Sequence, residues 1–235
     1  MAKVLLISHE PEAAPALIGT ILLERGHDVD LHVVLEDPER PNTDYPKADD
    51  YDAVVAFGSF ANAYDEGARA WVVPEIDLID SLIEKDVPYL GVCFGGQLLA
   101  ESLGGRVERA PQVEQEIGLV TFDSGDDLPI PAGPWFTWHE DRVVLPDDVE
   151  VLAHNGKAVQ LFRSGRAVGT QFHPEADTTV VGSWVRIGPD HIPDHTSGAQ
   201  LLQDLEMNET RLRGNCEALV DWFLHDVAGI KEVRP

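Results

Sequence analysis

An apolar run over residues 87–93 ends on a glycine-flanked cysteine, Gly91-Val92-Cys93-Phe94-Gly95. Residues 94–103 then continue with helical spacing until Gly104-Gly105. A buried strand that turns at once into a helix belongs to a layered α/β sheet, because its second layer must be made of helices. The rest of the first half fits that frame. Residues 3–8 and 53–57 are continuous apolar runs, the pattern of strands buried on both faces. Residues 11–25, stopped by Gly26, and residues 68–85, with Pro74 near the first turn or marking a break, read as helices. Residues 28–34 alternate as a second strand, and residues 36–50 form a loop rich in Pro, Asp and Asn. Strands alternating with helices imply right-handed crossovers and a doubly wound, mostly parallel central sheet flanked by helices.

After Gly105 the rhythm changes. Short β-like runs cover residues 117–122, 149–153, 158–162 and 167–172. Asn155-Gly156 and Ser164-Gly165 between them predict antiparallel hairpins, a small β extension of the sheet. Residues 200–227 are helical, with Leu201, Leu205, Leu212, Leu219, Val220 and Phe223 on the apolar side. There is no internal repeat and no low-complexity linker, so residues 1–235 are expected to form one domain.

Composition narrows the function classes. A chain of 235 residues, 43% of them hydrophobic, can bury a full core. Two cysteines, Cys93 and Cys216, are not a disulfide framework and imply a reducing compartment, hence a cytoplasmic protein. No segment has the length needed to span a bilayer, and the apolar run at residues 3–8 is too short for a signal-peptide core. The net charge of −25, from 42 acidic and 17 basic residues, repels nucleic acid and anionic lipid and disfavours both as partners.

The cysteine at the strand–helix turn is a candidate nucleophile. Its sulfur stands at a helix N-terminus, where the dipole favours thiolate over thiol. The Phe94 N–H points to where an oxyanion would form. A buried structural cysteine is the ordinary alternative, but strand, glycine spacing and helix agree on the nucleophile. A base is at hand in Gln171-Phe172-His173-Pro174-Glu175, a histidine ending a β run with an acid two residues on, across a proline that fixes the turn. His173 can take and return a proton while Glu175 selects its tautomer. His191 and His195 lie among prolines without further ligands and read as loop residues. Cys216 reads as core, and His9, at the end of the first strand, faces the active edge of the sheet without a specified role.

These two motifs together resemble the class I glutamine amidotransferases, within which the chain is similar to stand-alone GMP-synthase-like members. Gly91-Val92-Cys93-Phe94-Gly95-Gly96-Gln97 matches the family's G-x-C-x-G-x-Q signature, and residues 171–175 match its second signature. Leu103-Gly104-Gly105, Glu116-Ile117-Gly118 and Trp138-His139-Glu140-Asp141 agree as secondary features, although Glu140 replaces a glycine. The resemblance covers residues 3 to about 176 and extends to the C-terminal helix. It implies a flavodoxin-like fold and a Cys93–His173–Glu175 triad. It implies oxyanion donors at the backbone N–H groups of Phe94 and Gly58, the latter in a loop that keeps only one residue of the usual Gly-Gly-Pro. Gln97 and the backbone near Glu116, Ile117 and Gly118 would bind the ends of glutamine, with His139 at the substrate mouth. No cofactor or metal is implied.

The expected activity is hydrolysis of the glutamine γ-amide through a glutamyl thioester, with ammonia supplied to a separate synthetase. The sequence has no glycine-rich phosphate loop that would activate an acceptor. A self-contained hydrolase of γ-glutamyl amides or peptides is the alternative. A catalytically silent binding or regulatory module is a third reading, against which the intact Cys93, His173 and Glu175 stand.

Overall fold

The computed structural model describes residues 1–123 and 128–230. Its strands are β1 (Lys3–Ser8), β2 (Asp28–Val33), β3 (Ala53–Ala56), β4 (Tyr89–Val92), β5 (Arg106–Arg109), β6 (Glu116–Val120), β7 (Trp135–His139), β8 (Asp141–Val144), β9 (Glu150–His154), β10 (Val159–Ser164) and β11 (Ala167–Thr170). The main helices are α1 (Ala16–Glu24), α2 (Arg69–Glu84), α3 (Phe94–Ser102), α4 (Thr178–Ile187) and α5 (Gly198–Trp222).

Seven strands make one sheet in the order β2-β1-β3-β4-β11-β10-β9. The first five are parallel, and β10 and β9 continue the sheet antiparallel. The doubly wound class expected from the sequence is therefore observed, and the hairpins at residues 155–156 and 164–165 supply its antiparallel end.

Period-2 alternation sends Val4 and Leu6 to one face and Leu5 and Ile7 to the other. The first pair packs with Ile18 and Leu22 of α1 and Leu219 of α5. The second packs with Val72 and Ile79 of α2 and Leu98 of α3. Both faces are covered, so β1, β3 and β4 read as unbroken apolar runs. The chain leaves the carboxyl ends of β1, β3, β4 and β11 on one edge, beside the point where strand order reverses; such edges hold ligand sites in open α/β sheets.

Several expectations need correction. The first helix begins at Ala16, not residue 11; residues 11–15 lack regular helix and lead into it through Pro15. Pro74 is neither in the first turn nor a break: α2 runs continuously through it. The prolyl ring removes only one N–H from a helix held by buried Trp71, Val72 and Ile79. The final helix passes into a π-helical turn at Phe223–Val227. Strands β5, β7 and β8 and helix α4 were not expected. The strands form short two-stranded ribbons, β5 with β8 and β6 with β7. Helix α4 opens with Thr178-Thr179-Val180-Val181, poor helix formers that hide it from a propensity reading. Asp177 caps it by accepting from the Thr179 and Val180 N–H groups.

Candidate active site

Cys93 sits between β4 and α3 with φ 50° and ψ −102°, left-handed backbone that a side chain rarely adopts. The neighbouring glycines make the turn sterically feasible: a Cβ on Gly91 would lie 2.4 Å from the Gly95 carbonyl oxygen. The Cys93 N–H donates to Thr170 O of β11 (2.8 Å), and its carbonyl accepts the Gln97 N–H (2.9 Å). The sulfur is thereby presented at the N-terminal turn of α3, where the Phe94 amide has no intrahelical acceptor.

His173 follows β11 and is fixed at both ends. Its backbone N–H donates to Phe136 O of β7 (2.7 Å), and its Nδ1–H donates to Glu175 Oε1 (2.8 Å). Its ring lies 4.8 Å, centroid to centroid, from Trp184 of α4. Burial alone would lower the His173 pKa. The Glu175 carboxylate and the Cys93 sulfur outweigh that and push it up to about 10. That direction favours the protonated imidazole beside Cys93. Gln171, noticed in sequence only as part of a motif, donates its amide N–H to Cys93 Sγ at 3.6 Å.

One cavity of about 340 Å³, within the range of small-molecule sites, is walled by six of the expected residues. They are Gly58, Cys93, Phe94, Gln97, His139 and His173. Glu175 is buried behind His173. Gly58 follows β3, and a Cβ there would stand 2.9 Å from His173 Cε1, so only glycine brings the loop this close. Glu116, Ile117 and Gly118 are not on the wall. Register on the β6–β7 ribbon pairs Glu116 with His139, and the Glu116 carboxylate accepts from His139 (3.2 Å), Asn155 (2.8 Å) and Gln160 (2.9 Å). Burial would raise the Glu116 pKa, but the hydrogen bonds from His139 and Asn155 hold it below the usual value. Glu116 thus orients His139, whose Nδ1–H donates to Asp141 O (2.9 Å).

The wall also holds Trp138, Glu140 and Asp141, from the same motif as His139, and residues that no motif marked. Arg109 of β5 reaches the cavity and pairs with Glu140, which also meets His191 at 3.2 Å. His191 does lie in a loop segment, the short turn Pro189–His191, yet it lines the cavity too. Trp138 and Trp184 add an aromatic side. Nothing in the sequence near Arg109 or Trp184 marks them, because they arrive from a four-residue strand and an unexpected helix.

A buried cysteine on a strained turn shares a cavity at the carboxyl edge of a parallel sheet with a histidine bonded to a glutamate. The fold and this candidate site are of the layered α/β class, and comparison with known proteins gives the family. The model of the glutamine amidotransferase class-I family matches residues 17–185. The chain belongs to that family. It is 40% identical over 141 residues to a glutamine-hydrolysing GMP synthase from Thermomicrobium roseum, covering 55% of this chain and 24% of that protein. Against the Rhizobium rhizogenes enzyme it is 32% identical over 191 residues, covering 76% of this chain and 28% of the other. The chain therefore spans about a quarter of the length of these relatives. A glutamine amidotransferase from Thermotoga maritima has a similar structure, with 28% identity, TM-score 0.82, and coverage of 94% of this chain and 97% of that one.

Proposed function

We propose that this protein hydrolyses the γ-amide of glutamine through a thioester on Cys93 and yields ammonia to a synthetase. The observation that carries this is His173, bonded to Glu175 and set with Cys93 in the same cavity wall as Gly58 and the Phe94 turn. The Cys93 thiolate adds to the γ-carbonyl carbon. The resulting oxyanion accepts from the Phe94 and Gly58 N–H groups. His173 gives its proton to the amide nitrogen, the C–N bond breaks, and ammonia leaves with the glutamyl thioester behind. His173 then takes a proton from water as the hydroxyl adds to the thioester carbon. Collapse expels the Cys93 thiolate and frees glutamate. Gln97 and His139 bind the amino-acid end of the substrate, with Glu116 holding His139 from behind. Residues 1–235 act as one amidotransferase domain.

The GMP synthases it resembles hydrolyse glutamine as part of a larger chain, which favours a synthetase as recipient here. A second reading, hydrolysis of a γ-glutamyl amide with a larger N-substituent, is favoured by the aromatic side at Trp138 and Trp184. The test is glutamate release by the purified protein from glutamine and from a panel of γ-glutamyl amides, alone and with candidate synthetases. Stimulation of glutamine turnover by a synthetase supports the first reading. A markedly higher kcat/KM for a substituted amide supports the second, and no release from any substrate overturns both.

A further inference from the structure

Behind the oxyanion loop lies a buried charge pair. His9, immediately after β1, is fully buried between Phe94 and Trp71, whose rings lie 4.8 and 5.5 Å from its own. Its Nε2 is 2.9 Å from Glu75 Oε2, an oxygen that also accepts the Tyr45 hydroxyl at 3.1 Å. Its Nδ1 is 2.9 Å from the Gly58 carbonyl oxygen. Both ring nitrogens face acceptors, so the ring that satisfies them carries two protons. Burial lowers the His9 pKa, and the Glu75 charge and hydrogen bond outweigh it and leave it raised.

The next residue acts on the same loop. Glu10 Oε1 accepts from the Ser59 hydroxyl (2.8 Å) and the Phe60 N–H (3.3 Å). On the other side of Gly58, Phe57 O accepts the Gly95 N–H at 3.0 Å. Peptide planes are rigid, so fixing the Phe57 carbonyl fixes the Gly58 N–H antiparallel to it. Fixing the Gly58 carbonyl locks the other plane at that residue. A Gly-Ser step without proline would otherwise rotate freely. Here both planes at Gly58 are held, one by the elbow glycine and one by His9.

We propose that His9 and Glu75 are positioning residues for the oxyanion loop: with the plane of the Gly58 N–H held through Phe57 by Gly95, His9 holds the Gly58 carbonyl and with it the second plane, so that the residue cannot turn about its own Cα and swing the loop away. Glu75 orients His9, and Glu10 secures Ser59 and Phe60. This rests on the Cys93 hydrolase reading above.

The double variants H9N/E75Q and H9L/E75Q both remove the buried charge pair and differ in one donor. An asparagine amide takes the place of Nδ1 and can reach the Gly58 carbonyl, whereas leucine cannot. With glutamine as substrate, kcat of H9L/E75Q is expected to fall about 10- to 100-fold below that of H9N/E75Q. KM should stay within about threefold. Alkylation of Cys93 by iodoacetamide, which develops no oxyanion, should proceed equally in both. Equal kcat values overturn the proposal, as does a loss of alkylation parallel to the loss of kcat, which would mean that the elbow itself is disturbed. Should the leucine variant not fold, Ser59→Ala tests the same loop from its half-buried side. It is expected to lower kcat about fivefold with alkylation unchanged, and an unaltered kcat overturns the proposal. Failure of the hydrolase reading is seen separately, in the wild-type protein releasing no glutamate from any amide, and this inference would fall with it.

Discussion

Gly58 and His173 are in steric contact across the cavity: a methyl group added at Gly58 would stand 2.9 Å from Cε1 of the imidazole. The loop after β3 and the His173 ring, which the proposed mechanism uses as oxyanion donor and base, are therefore packed against each other. Gly58→Ala is expected to fold, since Gly58 lies in the loop beyond β3 and the added methyl would meet the edge of the His173 ring at the cavity wall. It should lower kcat on the order of 10²-fold, the cost of a misplaced oxyanion donor. Steady-state kinetics beside a thermal melt checks this, and near-native kcat would remove Gly58 from the site.

The strain at Cys93 predicts a stability difference independent of catalysis. Alanine in its place keeps a side chain at φ 50°, whereas glycine adopts that angle freely. Cys93→Gly should be more stable than Cys93→Ala by about 1 kcal/mol, despite glycine's greater unfolded-state entropy. Urea unfolding of the two inactive variants measures it, and an Ala variant at least as stable would mean that the turn relaxes.

Cysteine labelling separates the two thiols. A diazo-ketone analogue of glutamine should modify Cys93 alone. Cys216 is fully buried among α5 core residues, and burial pushes its pKa well above the ordinary thiol value. Mass spectrometry locates the adduct. An adduct on Cys216 with Cys93 untouched would overturn the nucleophile assignment.

If Cys93, His173 and Glu175 work as proposed, His173→Ala should cost more than Glu175→Gln. His173 transfers the proton, worth on the order of 10²–10⁴ in rate. A glutamine at position 175 can still accept from Nδ1–H through its carbonyl oxygen and keep the ring oriented. Wild-type kcat in His173→Ala would refute the proton-transfer role.

Stability should also depend on pH through His173. Its folded-state pKa is raised from 6.5 to about 10. The stabilisation this represents is complete below the unfolded pKa and is lost as pH rises through the folded one, each unit being worth about 1.4 kcal/mol. The unfolding free energy of the wild type relative to His173→Gln should therefore be greatest near pH 6 and shrink by pH 10.5. A difference that stayed constant over that window would show that folding leaves the His173 pKa unshifted.

Much of this protein was legible in one dimension because its signals are local. Period-2 and unbroken apolar runs give β1, β3 and β4, and spacing gives the elbow, since Gly91, Cys93 and Gly95 interact within one turn of chain. His173 and Glu175 are two residues apart, so their pairing also needs no tertiary information. The remainder depends on contacts between distant segments. Arg109 and Trp184 reach the cavity from a four-residue strand and from a helix whose β-branched start disguises it. Glu116 lies 23 residues from His139, and only the β6–β7 register makes it a partner rather than part of the cavity wall. His9 and Glu75 are separated by 66 residues and meet because β1 lies beside β3 while α2 packs across them. A lone histidine after a strand has no pattern, and its place under Gly58 is decided by the order in which the strands are laid side by side.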